Sequence, residues 1–230
     1  MHRGPEDVNR AMCANDNQEL TSEELEIRRR VLSWARKALT TPTTDLKRHS
    51  RSEGEAVCPF LLRSLESGYC YVHIYSEKNA KVDFVRQLTL DARDNFEALP
   101  PSKGPDTAKK SLMMVFPNWS ASLPRILEDV RRSLKTDFIR SGLMLAPFYD
   151  GRNAGSIWNP HLKVFSSPVP LIAIRYMAKH DVYFLANNAV WFREFDKRFG
   201  ATFQNEQALT KYEKAMCSVY KAAKARFVKA

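Results

Sequence analysis

Cys58-Pro59-Phe60 is the segment of this chain whose residue types are best suited to chemistry. Proline is favoured at the first position of a helix, so the motif predicts a helix that begins at Pro59 with Cys58 directly before it. Unpaired backbone N–H groups and the positive end of the helix dipole meet at such a position, and both stabilise a thiolate. Cys58 is therefore the first candidate for a reactive or metal-binding group.

Three roles fit a cysteine at this position. It can be a small buried side chain of the core, as many cysteines are. It can be a nucleophile, which needs a nearby base, and His73, His161 and His180 are the histidines that fit this role. It can also be the single thiolate ligand of a heme iron, in a pocket of apolar and aromatic side chains.

The other cysteines and the histidines form no familiar metal or disulfide pattern. The four cysteines, at positions 13, 58, 70 and 217, show no paired spacing, so we expect reduced thiols. The five histidines have no spacing typical of a zinc site. Motifs of dinucleotide-binding, P-loop and serine-hydrolase proteins are missing from the sequence, so these classes have no motif to support them.

A heme pocket also needs aromatic walls and polar groups. The candidate cofactor contacts are Cys58, Pro59, Phe60, Phe116 and Trp158. His161 follows Trp158 in a predicted loop, and Arg175 lies in a predicted strand, so these two are the candidate polar and catalytic residues of the pocket. The basic side chains that could meet heme propionates are Arg86, Arg93, Arg152, Lys163 and Arg175.

Capping residues and hydrophobic periodicity predict the elements that position these side chains. Thr21 and Glu24 have the spacing of a capping box, which predicts a first helix near 22–39. Alternation of side-chain types predicts a strand at 69–76 after the Pro59 helix. Further strands are predicted at 111–117, 143–149 and 166–177, and further helices near 80–98, between Ser122 and Gly142, near 187–199 and near 205–227.

These elements predict an α+β fold, with a small, mainly antiparallel sheet of about four or five strands covered by helices. We expect a flexible segment at 1–20 and a single domain at 21–230, with a core at about 55–200 and a basic helix at about 205–228. The sequence has neither a signal-peptide pattern nor an apolar run that could span a bilayer, so we expect a cytoplasmic protein without a membrane partner. The formal charge of +10 allows nucleic-acid binding on charge alone.

Several short motifs follow one another along the chain. They are Cys58-Pro59-Phe60, Phe116-Pro117, Gly142-Leu143-Met144-Leu145, Asn159-Pro160, Ser167-Pro168-Val169-Pro170-Leu171, Ala173-Ile174-Arg175 and Arg198-Phe199-Gly200. Together they resemble an uncharacterised bacterial domain family, often found near genes of specialised metabolism, over roughly residues 55–200. We expect many relatives to have histidine where this chain has Tyr176, so any role of that histidine would be lost here or taken over by Tyr176.

The order of a Cys-Pro-Phe motif, a short helix, a strand, a long helix and a strand ending in Val-Phe-Pro is similar to YqcI/YcgG-type heme proteins. These include guanidine N-hydroxylases with a cysteine axial ligand, and their motif has the reversed order Phe-Pro-Cys. The resemblance implies heme as the cofactor and Cys58 as the iron ligand. We therefore expect a heme-binding oxidoreductase, of oxygenase or N-hydroxylase type, that acts on a small amino-acid-like or guanidino substrate with the help of a redox partner.

Two other functions stay open. One is a non-enzymatic binding or accessory protein of a biosynthetic pathway, which would use the basic C-terminal helix as its contact surface. The other is a transferase or hydrolase with Cys58 as the nucleophile. The sequence leaves the oligomeric state open.

Overall fold

The computed structural model describes residues 20–41, 56–78, 81–118, 120–156, 161–205, 207 and 209–228. The predicted flexible segment 1–20 lies outside these residues except for Leu20, and so does the candidate cofactor contact Trp158. The helices are α1 Ser22–Ala35, α2 Pro59–Glu66, α3 Val82–Phe96, α4 Leu123–Arg140, α5 Val182–Leu185, α6 Ala189–Phe199 and α7 Lys211–Phe227. The strands are β1 Cys70–Ile74, β2 Ser111–Val115, β3 Leu143–Phe148 and β4 Leu171–Tyr176.

The strands form one four-stranded sheet in the order β1-β2-β4-β3. β1 pairs in parallel with β2, whereas β2 pairs antiparallel with β4, and the sheet as a whole is mostly antiparallel. All four predicted strands are present in the structure. The predicted α+β class, with a small sheet and helices around it, is confirmed.

Local sequence signals explain where α1 and α7 begin. Thr21 and Thr210 each accept a hydrogen bond from the backbone N–H of a glutamate three residues later, and that glutamate bonds back to the threonine N–H. These are complete capping boxes, which satisfy backbone N–H groups that would otherwise have no partner.

Most elements begin or end one to three residues from their predicted bounds, and three of the differences have a local explanation. The predicted helix at 205–228 begins only at Lys211, because the capping box of Thr210 defines its start. The last residues of the predicted first helix, Arg36–Thr40, form a wider π-helical turn. The predicted strand at 166–177 is shortened to β4, because Pro168 and Pro170 lie in the bend before it.

The described residues group into two compact units, each with its own hydrophobic cluster. The first unit contains the residues up to Arg132 together with Leu145–Arg175, and the second contains Ser133–Met144 and the residues from Tyr176 onwards. In the first unit, α1, α2 and one face of the sheet enclose a cluster that includes Val31, Ala35, Leu61, Cys70, Val72, Met113, Val115 and Leu171. In the second unit, α5, α6 and α7 enclose a cluster that includes Val182, Leu185, Phe192, Phe195, Met216 and Tyr220.

Candidate functional site

Cys58 occupies the N-cap position of α2, and Pro59 is the first residue of the helix, as the sequence predicts. The backbone N–H of Cys58 donates to the carbonyl of Leu39 over 2.8 Å, which fixes the chain as it enters the helix. The Cys58 side chain makes no capping hydrogen bond. It is half-buried at the edge of the hydrophobic cluster, whereas Cys70 and Cys217 are buried, so Cys58 is the most accessible of the described cysteines.

Three side chains form a row across the sheet next to this helix start. Cys70 on β1 pairs with Ser111 on β2, and Ser111 pairs with Arg175 on β4. Directly paired residues of neighbouring strands project from the same face of a sheet, so a thiol, a hydroxyl and a guanidinium lie side by side. The Ser111 hydroxyl also shares a hydrogen bond of 2.7 Å with the hydroxyl of Ser64 on α2, which ties the helix to the row.

Arg175 connects this row to the Cys58 motif. Its guanidinium carbon lies 4.7 Å from the centre of the Phe60 ring, in a cation–π contact. Phe60 is two residues beyond Cys58 in the first turn of α2. Phe60 and Arg175, both predicted as site residues, are thus in contact, and we call Cys58, Phe60 and Arg175 together with Cys70 and Ser111 the Cys58 site.

The two thiols of the Cys58 site have different environments. Burial raises the pKa of the Cys70 thiol to about 11, and the nearby Cys58 adds to this effect. The hydrogen bond with Ser111 and the positive charges of Arg28 and Arg36 act in the opposite direction without cancelling it. Cys70 therefore remains a neutral thiol at neutral pH, and the half-buried Cys58 is the group of this site that can meet a ligand.

Other predicted site residues lie elsewhere. Phe116 is fully buried, and its ring stacks on Tyr75 at 5.4 Å between centres, so it has no exposed surface for a cofactor. His161 is exposed in the loop between β3 and β4. His73 lies on β1 but projects from the face opposite to Cys70, and burial lowers the pKa of its imidazole.

The basic residues that could meet heme propionates also differ in their surroundings. Arg152 is largely buried and forms an ion pair of 2.8 Å with Glu128, and Arg93 pairs with the adjacent Asp94 at 2.8 Å. Arg86 and Lys163 are exposed. Of this set, Arg175 is the side chain that the structure places beside the Cys58 motif through Phe60.

Cys70 and Ser111 are residues of the Cys58 site that the sequence patterns did not single out. The alternation of β1 placed Cys70 on the same face as Val72, which is a signal for burial. Its neighbourhood with Ser111 and Arg175 depends on the pairing register of three strands, which periodicity does not encode.

The fold and the site describe an α+β protein with an accessible thiol at the start of a helix and, in the first turn of that helix, a phenylalanine ring in contact with an arginine. Residues 28–210 match the model of the family described as domain of unknown function DUF6875, and the chain therefore belongs to this family. This confirms the expected membership of an uncharacterised domain family. Comparison with curated proteins and with solved structures found no match.

Two further properties bear on the expectations from the sequence. In the part of the chain that the structure describes, no helix is long and apolar enough to cross a membrane. Within the same residues, no three or more His, Cys, Asp or Glu side chains are grouped so that they could hold a metal ion.

Proposed function

We propose that this protein is a heme-binding oxidoreductase in which Cys58 is the single protein ligand of the iron. The observation that carries the proposal is the position of Cys58, half-buried at the start of α2, in a first turn whose Phe60 ring contacts the Arg175 guanidinium. A porphyrin supplies four nitrogen ligands to its iron, so a single cysteine ligand from the protein would be enough to hold the iron at this site. The donor set of the Cys58 site fits this requirement.

Each residue of the site has a role in this proposal. Cys58 would provide the sulfur ligand to the iron from the N-cap position of α2. Phe60 offers an aromatic surface for a planar ring, and the Arg175 guanidinium can pair with a carboxylate group. Cys70 stays protonated and bonded to Ser111, so it does not compete for the iron.

The proposed reaction class follows from the similarity to YqcI/YcgG-type heme proteins. Thiolate-ligated heme supplies oxygen activation, because the thiolate donates electron density that favours cleavage of the O–O bond. Insertion of one oxygen atom of O₂ into an N–H bond requires two electrons and two protons, and the second oxygen atom leaves as water. A reductase partner would provide the electrons, and an amino-acid-like or guanidino compound would be the substrate.

Heme binding is tested by spectroscopy of the full chain purified after heme supplementation. We expect a Soret band in the wild type that shifts when the reduced protein binds carbon monoxide. Cys58→Ala should lose the spectrum of a thiolate ligand, whereas Cys217→Ala, a change of a buried cysteine in the second unit, should keep it. A wild-type protein without a Soret band, or an unchanged spectrum of Cys58→Ala, rules out this function.

The greater accessibility of Cys58 also favours a second candidate, a transferase or hydrolase with Cys58 as the nucleophile. In that case iodoacetamide should label Cys58 faster than Cys70 or Cys217 at neutral pH, because both of these are buried. Equal labelling rates for the three thiols in the folded protein would exclude it. Fast labelling without a Soret band would favour the nucleophile over heme.

A further inference from the structure

An open groove runs along α1 on the side opposite to the buried residues of this helix. It has a volume of about 670 Å³, within the usual range for small-molecule sites. The residues that line it are Glu26, Arg29, Arg30, Ser33, Trp34, Lys37, Ala38 and Pro168. Apart from Pro168 they recur at helical spacing along α1 and the turn after it, so one helix face forms most of the wall.

The lining of the groove has an excess of positive charge. Arg29, Arg30 and Lys37 contribute three cations, whereas Glu26 is the one carboxylate in the lining. Glu26 forms an ion pair with Arg29, but both side chains are more than half exposed, so an incoming anion can compete for Arg29. The positive charges are suited to phosphate oxygens, which arginine binds through paired hydrogen bonds.

The aromatic part of the groove is held in place by the core. Trp34 is half-buried, and its ring meets Phe148 edge to face, with 5.7 Å between the centres. This contact orients the indole while Trp34 still lines the groove. An oriented aromatic ring at the side of a cationic site is a stacking surface for a planar heterocycle.

The opposite wall is also ordered. The hydroxyl of Ser167, which is buried, donates to the carbonyl of Val169 over 2.7 Å and so stabilises the bend around Pro168. The guanidinium of Arg30 donates to the Pro168 carbonyl over 3.4 Å, which links α1 to this bend. These two hydrogen bonds hold the bend and α1 beside each other as the two walls of the groove.

We propose that this groove binds a mononucleotide, with the base on Trp34 and the phosphates on Arg29, Arg30 and Lys37. The combination of a ring surface and several cations within one groove favours this class over inorganic phosphate or an uncharged ring compound. The site is formed by other residues than the Cys58 site, so this proposal does not depend on heme binding.

Calorimetric titration of the full chain with three ligands tests the proposal. ADP carries both the ring and the phosphates, adenosine lacks the phosphates, and inorganic pyrophosphate lacks the ring. We expect ADP to bind at least about tenfold more tightly than either of the others, and its affinity to fall as salt is added. An absence of ADP binding at millimolar concentration, or equal affinities for ADP and pyrophosphate, would overturn the proposal.

Two substitutions show which side chains bind the phosphates and which binds the ring. Lys37→Gln, a change of an exposed cation in the groove, should weaken ADP and pyrophosphate binding by about tenfold each and leave adenosine binding unchanged. Trp34→Leu should weaken ADP and adenosine binding but not pyrophosphate binding, and circular dichroism checks that it folds. Lys214→Gln, an exposed charge change on α7, is the matched control and should bind ADP like the wild type. If Lys37→Gln behaves like Lys214→Gln, the groove is not the nucleotide site.

Discussion

The N-terminus of α2 and the N-terminus of α7 differ in what is bound to the first backbone N–H groups. At α7, Thr210 and Glu213 form a complete capping box, and Lys179 forms an ion pair of 2.7 Å with Glu213. At α2, the side chain of Cys58 makes no capping hydrogen bond. One helix start is closed by its own side chains, while the other presents an accessible thiol instead of a capping hydroxyl.

The carboxyl end of α3 is a third helix end to compare. It is closed as well, in the sense that a side chain forms hydrogen bonds with its terminal backbone groups. Lys110 is 1% exposed, and its ammonium donates to the carbonyls of Phe96, Glu97 and Leu99 at 2.9–3.0 Å. Closed helix ends stabilise the fold, so changes there should lower the free energy of unfolding. A change at the open end should instead alter ligand binding and leave stability nearly unchanged.

The largest loss of stability is expected for Lys110→Met. The methionine fills the space of the lysine stem but leaves the buried carbonyls of Phe96 and Leu99 and the partly buried carbonyl of Glu97 without this donor, so the free energy of unfolding should fall by about 3 kcal/mol. Urea denaturation measures it. Lys109→Met is the neighbouring control, because Lys109 makes a surface ion pair with Asp106, and it should change stability by less than about 1 kcal/mol. Equal effects of both variants would contradict the role of Lys110.

A smaller loss with a distinct pH dependence is expected for Glu213→Gln. The hydrogen bonds from Lys179 and Thr210 lower the pKa of the Glu213 carboxyl to about 2. Because this pKa is lower in the folded state than in the unfolded chain, the stabilisation is present above about pH 5 and is lost as the pH falls towards 2.

Glu213→Gln should therefore lose about 1.5 kcal/mol at pH 7 and show a flatter acid dependence of stability than the wild type. Thermal unfolding between pH 7 and pH 3 measures both effects. Glu66→Gln, at an exposed position of α2, serves as the control and should follow the wild-type curve. If the stability of Glu213→Gln depends on pH as steeply as that of the wild type, this carboxylate does not stabilise α7.

Thr210→Ala should have the next smaller effect. It removes the hydroxyl that accepts from the backbone N–H of Glu213 over 3.2 Å, and the loss of an N-cap costs about 1 kcal/mol. Urea denaturation at pH 7 measures the change, and Thr210→Ser should restore most of the stability. A stability of Thr210→Ala equal to that of the wild type would mean that α7 is fixed by packing alone.

Cys58→Ser should change stability least. Serine is a good N-cap residue, so the hydroxyl can bond to a backbone N–H of α2 that the thiol leaves without a cap. This gain opposes the loss of the apolar contact between the thiol and its cluster, and the net change should be less than about 0.5 kcal/mol. A loss above about 2 kcal/mol would identify Cys58 as a core residue whose role is packing.

The sequence predicts local structure well because the relevant signals are local. The capping boxes at Thr21 and Thr210, the proline at position 59 and the alternation of β1 all act within a few residues, and the corresponding elements are present. Cys58 could be singled out for the same reason, since its position at a helix start follows from Pro59 alone.

The surroundings of Cys58 could not be predicted in this way. The row of Cys70, Ser111 and Arg175 depends on one parallel and one antiparallel register between strands that are distant in sequence. Phe116 and Arg175 both follow apolar runs, yet Phe116 is enclosed in the core while Arg175 reaches Phe60. Hydrophobic patterns do not distinguish these outcomes, because they carry no information on which side chains meet.

The most direct test of the account is a parallel measurement of heme spectrum and stability for the wild type and Cys58→Ser. We predict that the two proteins, purified without heme, unfold at nearly the same urea concentration, whereas after heme supplementation only the wild type shows a Soret band and the carbon monoxide spectrum of a thiolate-ligated heme. A folded wild type that binds no heme, or a serine variant with the wild-type spectrum, would contradict the claim that the open helix end at Cys58 is the functional site.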